Sequence, residues 1–455
     1  MIIGADMRNA IKLIDGAVIG VVGGGPAGSF FSHFILKQAR KRGVPIKVCI
    51  LDGKDFLITG PRGCNLCAGV VSEPLCNLLE EEEIVVPERC IQKRISGYYI
   101  HTEQSSFKLL NIHGRKEITT VYRGNGPRNI ESKGVISFDD YMVQHVLNEG
   151  AEIIRARVRE VKRIPGSGKF LITYGEKDAR SEIVVDLLVA ATGLNTNFLN
   201  VLTQLGFGYH PPKSLICCLS EIPVDNFDNE YLSEFIHTFF LRIPSVKLAA
   251  IIPKQGYLTV SMITRKDSCR ENLEQFLAHP IVENLVSESS LPLSPACFCH
   301  SRMSIGPAKK PFADRLVVVG DAGMTRYYKN GLDSAFLTAK MAASTAFDRG
   351  ISNDDFKEGF YKPGMALIAN DNRFGSILFG LDSRLSRWRG FNSAKARLAQ
   401  RQQSQIGIAT QEILWNMLTG NQSYRQIFKQ VFSPKMMLGI LAEWVKTLLG
   451  MTTKP

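Results

Sequence analysis

The chain has 455 residues, 45% hydrophobic and 22% charged, so it can bury a large core and is neither fibrous nor disordered in composition. Its 55 Lys and Arg against 43 Asp and Glu leave a formal charge of +12, which suits phosphate-bearing cofactors, anionic lipid or a small acidic electron carrier; no nucleic-acid motif accompanies it. Ten cysteines are too few for a secreted disulfide scaffold, Asp6 and Asp15 interrupt any signal-peptide core, and no window approaches the ~20 apolar residues of a span. The expectation is a cytoplasmic protein.

The first predicted element is a buried parallel strand, Ala17 to Val22, which turns into "GGGPAG" and then a helix reaching about Lys41. Gly23, Gly25 and Gly28 satisfy G-x-G-x-x-G, followed inside the helix by Pro26 and Ala27. The first glycine permits the tight turn, the second admits a pyrophosphate to the backbone, and the third lets helix and strand approach. The helix N-terminus then offers N–H groups to the anion. "IKVCILDG" supplies the next strand and ends in Asp52 and Gly53, with the carboxylate about where a ribose hydroxyl needs an acceptor, roughly 20 residues beyond the glycines. "GPRGCNLCAG" follows, holding Cys64 and then Cys67, Ala68 and Gly69.

Further on, "DLLVAATGLNTN" holds Thr192 and Gly193 after an apolar run. Tyr98 to Asn111 and Ser214 to Ile263 are rich in short strands, among them "HTFFLRI", "LAAIIP" and "YLTVSMI", which predicts an antiparallel sheet roofing an apolar pocket. "RLVVVGDAGMTRYYKNGLDSAFLTAKMAA" gives a strand, a turn at Gly320 with Asp321, and a helix opening near Asn330, Gly331 and Leu332. No second G-x-G-x-x-G follows a strand, so no separate nicotinamide-binding domain is expected. Beyond about Gly350 the chain reads helical. Ser383 to Gln402 carries six Lys and Arg and no acid, and the last helix places Met437, Ile440, Leu441, Trp444, Val445, Leu448 and Leu449 on one stripe. That pair either docks on anionic lipid or packs on the core with a solvated basic face.

The three glycine motifs in this order, with the cysteine segment, resemble the geranylgeranyl reductase-like family of FAD-dependent oxidoreductases, the single-nucleotide branch of the glutathione-reductase-like fold. The resemblance implies an α/β architecture: a Rossmann-like FAD-binding domain (1–95, 131–205, 301–350), an interleaved antiparallel substrate domain (96–130, 206–300) and a helical C-terminal lobe (351–455). It implies that FAD rests on Gly23, Gly25, Pro26, Ala27, Gly28, Asp52 and Gly53, that Asp321 beside Gly320 holds the ribityl chain, and that Asn330, Gly331 and Leu332 meet the ring edge. Thr192 and Gly193 would be the middle motif, and Cys67, Ala68 and Gly69 the segment lying along the flavin. Val135 stands where the family carries an arginine before "FDDYM", a phosphate contact that is then either lost or supplied by Arg123 or Arg128.

The implied activity is hydride transfer from reduced flavin to a C=C bond of an apolar, isoprenoid-like lipid, with Cys67 the one catalytic candidate. Ferredoxin, NAD(P)H or quinol would be the electron donor, and peripheral contact with the inner face of a membrane is open. Rival readings are a flavin hydroxylase or halogenase, a membrane-surface electron-transfer flavoprotein, and a non-catalytic lipid-binding protein. Cys64 and Cys67 read as a redox dithiol, as half of a zinc site with Cys297 and Cys299, or as residues that merely shape a pocket. His300 reads as a strand residue, and no metal spacing is evident among the eight histidines, so no metal is expected.

Overall fold

The computed structural model describes residues 11–60, 62–110, 118–127, 136–176, 178–224, 230–264, 268–287, 295, 297–327, 331–401 and 403–451. The chain forms two compact units, each woven from three segments: Met1–Ile58, Asp139–Ser214 and Met303–Asn370 make the first, and Thr59–Phe138, Leu215–Arg302 and Asp371–Pro455 the second.

The first unit is built on a six-stranded sheet in the order Phe312–Ala313, Leu316–Val318, Leu187–Ala190, Ala17–Val22, Ile46–Leu51, Glu152–Ile154. All neighbours are parallel except the first pair. Such strands are covered on both faces, which is why they read as unbroken apolar runs rather than alternating ones. Helix Pro26–Arg42 covers one face and is stopped by Gly43 in the left-handed region (φ +63°). It packs against helix Gly331–Asp348, with Phe336 edge-on to Phe30 and Phe34 at centroid distances of 5.2 and 5.0 Å. A three-stranded antiparallel sheet, Val158–Arg163, Phe170–Glu176 and Ala179–Val185, covers the other side through Val161, Phe170, Ile172 and Val185. "PGSGKF" forms the hairpin connection within it.

The second unit carries a seven-stranded sheet in the order Cys297–Ser304, Ser214–Pro223, Tyr257–Thr264, Val246–Lys254, Phe235–Phe240, Gly97–Thr102, Ser106–Leu110. It is mostly antiparallel, with Phe235–Phe240 and Gly97–Thr102 paired in parallel. Cys218, Phe239, Val260 and Met262 on one of its faces pack with Leu273 and Phe276 of helix Cys269–Leu277.

The division departs from the expected boundaries. Residues 59–95, assigned by sequence to the nucleotide-binding part, fold with the second unit because Val70–Val71 and Ile91–Ile95 pair with Ile118–Val121 in a small sheet there. The C-terminal region is helical as expected, yet it divides at Asn370 between the two units instead of forming a lobe of its own.

Candidate functional site

In the first unit the three glycine motifs fold into one cradle. Gly23 ends its strand at φ +105°, and a Cβ there would stand 2.6 Å from the Ala191 carbonyl oxygen and 3.1 Å from Thr192 Cα. The middle motif therefore abuts the first, with Gly193 itself left-handed at φ +64°. A Cβ on Gly28 would stand 1.9 Å from the Gly23 carbonyl oxygen, closer than any side chain allows. Gly25 caps the following helix in extended conformation, Pro26 takes its first position, no side chain caps it and its first turn holds no acid. The positive end of the dipole is thus left for an external anion.

Asp52 is fixed beside this turn. Its Oδ2 accepts the Gly24 amide at 2.7 Å and its Oδ1 the Lys54 amide at 2.8 Å. Each carboxylate oxygen keeps a second lone pair, so a hydroxyl can still be accepted. Burial pushes this carboxyl above its ordinary value, while the amides of Lys54 and Gly24 oppose the change. The next residue, Gly53, lies where a Cβ would meet Arg157 Cγ at 2.4 Å.

The late motif closes the cradle. Gly320 is left-handed (φ +67°), and a Cβ there would come within 2.8 Å of Ala27 Cβ on the first helix. Its amide donates to Thr338 Oγ1 at 3.0 Å, fixing the turn to helix Gly331–Asp348. Gly331 opens that helix with Asp321 Oδ1 3.3 Å from where its Cβ would be, and Leu332 is buried beside it. The first and late motifs, some three hundred residues apart in the chain, meet at Ala27, and the middle motif meets the first at Gly23. Asn330 and Arg128 lie outside the described residues.

A cradle that excludes Cβ atoms at the turn, presents an uncompensated helix end and holds two aspartates fits a dinucleotide. Gly23, Gly25, Pro26, Ala27, Gly28, Asp52 and Gly53 would hold its adenosine diphosphate half, and Asp321, Gly331 and Leu332 its remainder.

The cysteine segment belongs to the second unit. Gly69 (φ +73°) lies so close to the adjoining strand that a Cβ would stand 2.0 Å from the Val121 carbonyl oxygen. The two are joined by the Val121 amide donating to the Gly69 carbonyl at 2.7 Å, and Ala68 packs against the neighbouring apolar cluster. Gly69 is therefore required by its own unit. Cys64, Cys67, Cys297 and Cys299 line one pocket together with Tyr122, Arg123, Glu221 and Lys254. The hydrogen bond from Cys299 holds the Cys297 thiol below its usual value and raises that of Cys299, and burial pushes Cys64 up.

Among the described residues no three of these cysteines bring their sulfur atoms within 4.8 Å of one another, so the four-cysteine zinc reading does not fit. His300 is an exposed strand residue, as expected.

Two features of the second unit, one of them in this pocket, escaped the sequence. Lys254 is 1% exposed, with Nζ 3.3 Å from Glu221 Oε1 and 4.6 Å from the Tyr122 ring centre, while Thr259 donates to Glu221 Oε2 at 2.7 Å. A lysine and a glutamate in otherwise apolar strands were the available signal. Cys218 is bonded to Cys269, Cα to Cα 5.3 Å, whereas Cys217 is a thiol beside Ser261. Sequence neighbours on a strand face opposite ways, so the adjacent pair never acts as one cluster.

No family model matches the chain. A digeranylgeranylglycerophospholipid reductase of Methanococcus vannielii is 24% identical over 348 residues, 75% of this chain and 79% of that protein. Among solved structures, a geranylgeranyl bacteriochlorophyll reductase-like protein of Thermoplasma acidophilum superposes with a TM-score of 0.66 at 15% identity, covering 97% of this chain and all of that one. A flavoprotein/dehydrogenase of Cytophaga hutchinsonii gives 0.65 at 14%, covering 96% and 100%. A flavin-dependent brominase gives 0.56 at 15%, covering 96% and 99%.

These likenesses, with the cradle, define the fold: it is the fold of the FAD-dependent oxidoreductases. Within that fold the chain is similar to the geranylgeranyl reductase-like proteins named above.

Proposed function

We propose that the protein reduces C=C bonds in the isoprenoid chains of a lipid. The observation that carries this reading is the similarity over 348 residues to a digeranylgeranylglycerophospholipid reductase, joined to a cradle in which alanine at Gly28 would collide with the Gly23 carbonyl. Bound FAD supplies a hydride to carbon once it is reduced. The chain's own residues bind and orient: the glycine turn and Asp52 hold the nucleotide half, Asp321 the ribityl chain, and the Gly331 helix end favours negative charge on the ring edge.

The second unit's own pocket holds Lys254 Nζ against Glu221 and is lined by the Cys67 thiol. Cys67, Ala68 and Gly69 keep the flavin-side role that the resemblance implies, and Cys67 remains a candidate catalytic residue.

Docking on an anionic phospholipid bilayer belongs to the same reading, since the substrate resides there. No described helix is long and apolar enough to cross a membrane. Helix Pro434–Leu448 exposes Met437, Leu441, Val445 and Leu448, and Trp388 beside it is also exposed. The adjoining segment holds Arg384, Arg387 and Arg389, while Glu443, the helix's one acid, is buried against Arg401 at 2.6 Å. An apolar face rimmed by arginine matches an anionic interface.

The test is anaerobic. Protein reduced with dithionite and mixed with a digeranylgeranyl phospholipid in detergent should regain the oxidised flavin spectrum without oxygen. A spectrum that returns only when oxygen is admitted would replace this reading with hydroxylation.

A further inference from the structure

Outside the cradle and the thiol pocket, the first unit brings together three metal-ligating side chains. His33 stands on helix Pro26–Arg42, His145 on helix Phe138–Asn148, and Glu149 in the turn that continues it. His33 Nδ1 is 3.0 Å from Glu149 Oε1 and 3.3 Å from His145 Nε2, and His145 Nε2 is 3.6 Å from Glu149 Oε1. Among the described residues this is the one group of three or more such side chains whose ligand atoms all lie within 4.8 Å of one another.

The triangle has the size a metal requires. A tetrahedral ion with bonds of about 2.0–2.1 Å holds its ligand atoms about 3.3 Å apart, and the three edges bracket that value. His145 and Glu149, spaced i, i+4, present their ligand atoms on one helix face, and His33 arrives from the facing helix more than a hundred residues earlier in the chain. The sequence search among histidines alone missed the set because its local half is His-x-x-x-Glu and its other half is remote.

We infer that His33, His145 and Glu149 bind a borderline divalent transition metal of the zinc class, as two neutral imidazoles and one carboxylate with a water completing the shell. Two imidazole nitrogens disfavour magnesium and calcium, which take oxygen ligands. His33 is nearly enclosed (side chain 4% exposed), whereas His145 and Glu149 are 24% and 17% exposed, which gives an ion an entry path and leaves room for water. Arg40 lies 3.3 Å from Glu149 Oε1 and also donates to the Glu149 carbonyl at 3.2 Å; its side chain is 52% exposed, so it can give up the carboxylate to an arriving ion while staying on the carbonyl. The ion would tie the C-terminal end of the Phe138–Asn148 helix to the helix whose N-terminus forms the nucleotide cradle. It is a clamp on the flavin unit with no part in the redox chemistry, so it stands independently of the substrate proposed above.

The experiment uses the FAD-loaded full chain, stripped of metal by chelator and titrated with zinc chloride, then with cobalt chloride. The expected result is one zinc per chain, a raised thermal midpoint, and a cobalt visible spectrum lacking the near-ultraviolet sulfur-to-metal charge-transfer band. Glu149→Gln and His145→Ala should each weaken zinc at least tenfold with FAD content unchanged. Should His145→Ala fail to fold, the near-isosteric Glu149→Gln carries the comparison alone. Equal zinc affinity in wild type and Glu149→Gln, a cobalt spectrum of thiolate ligation only, or no zinc bound by the wild type would each overturn the inference.

Discussion

Replacing Gly28 with alanine would place a methyl carbon 1.9 Å from the Gly23 carbonyl oxygen, a contact that only a shift of the turn itself can relieve. Gly28→Ala is therefore expected to lower the flavin bound per chain at least tenfold, read from the visible absorbance of the purified protein. Gly43→Ala is the control. Gly43 is also left-handed but has open space around its Cβ position, so that variant should lose about 1–2 kcal/mol of stability and keep its flavin. Equal flavin content in Gly28→Ala and wild type would remove the cradle from the account.

At this scale the sequence was legible where geometry forces a residue type. Gly23, Gly28 and Gly320 are glycines because backbone or a packed methyl occupies the Cβ position, and that necessity is what makes the motif visible. Lys254 with Glu221 was illegible, since each is a single charge in its own strand and the pairing exists only after the sheet has formed. The triad of His33, His145 and Glu149 was hidden for the same reason.

Among the elements, the parallel strands and their covering helices could be read because burial on both faces leaves continuous apolar runs. The antiparallel strands were placed to within a few residues: "YLTVSMI" became Tyr257–Thr264 and "LAAIIP" became Val246–Lys254. The neighbours in that sheet were not legible, and one consequence is a buried histidine pair. His101 Nε2 lies 2.9 Å from His237 Nδ1, His101 Nδ1 lies 2.8 Å from Ser106 Oγ, and His237 Nε2 lies 2.9 Å from the Tyr231 carbonyl.

Burial, reinforced by His237, lowers His101 from 6.5 to about 3, and burial, partly opposed by the Tyr231 carbonyl, lowers His237 to about 4. The unfolded chain takes up both protons near pH 6.5, whereas the folded chain resists until about pH 4 and then 3, so protonation favours unfolding across that window. The thermal midpoint should fall as pH drops from 6.5 toward 4, and His101→Phe combined with His237→Phe should flatten that slope. An unchanged slope in the double variant would show that the pair titrates in the folded chain as it does in the unfolded one.

For the whole molecule, the segment boundaries were the least legible feature, because a chain that crosses between units leaves no compositional mark where it does so. Residues 59–95 join the second unit through a short sheet whose strands have two to five residues, too brief to register as a periodicity. The C-terminal helices were legible as helices, but the exposure of their apolar stripe was decided by packing: Met436 and Glu443 turn inward, while Met437 and Leu441 turn out. If that face docks on lipid, Leu441→Glu with Leu448→Glu should reduce co-sedimentation with phosphatidylglycerol vesicles several-fold while leaving flavin content and thermal midpoint unchanged. Neutral phosphatidylcholine vesicles should retain little of either protein. Undiminished binding by the double variant would assign the face to another partner.

The most direct test of the central claim is the mass of the lipid product after anaerobic turnover with dithionite. Reduction of isoprenoid C=C bonds predicts that the lipid gains two hydrogen atoms per bond reduced, in the absence of oxygen. A lipid unchanged without oxygen and carrying an added oxygen atom after exposure to it would contradict the account.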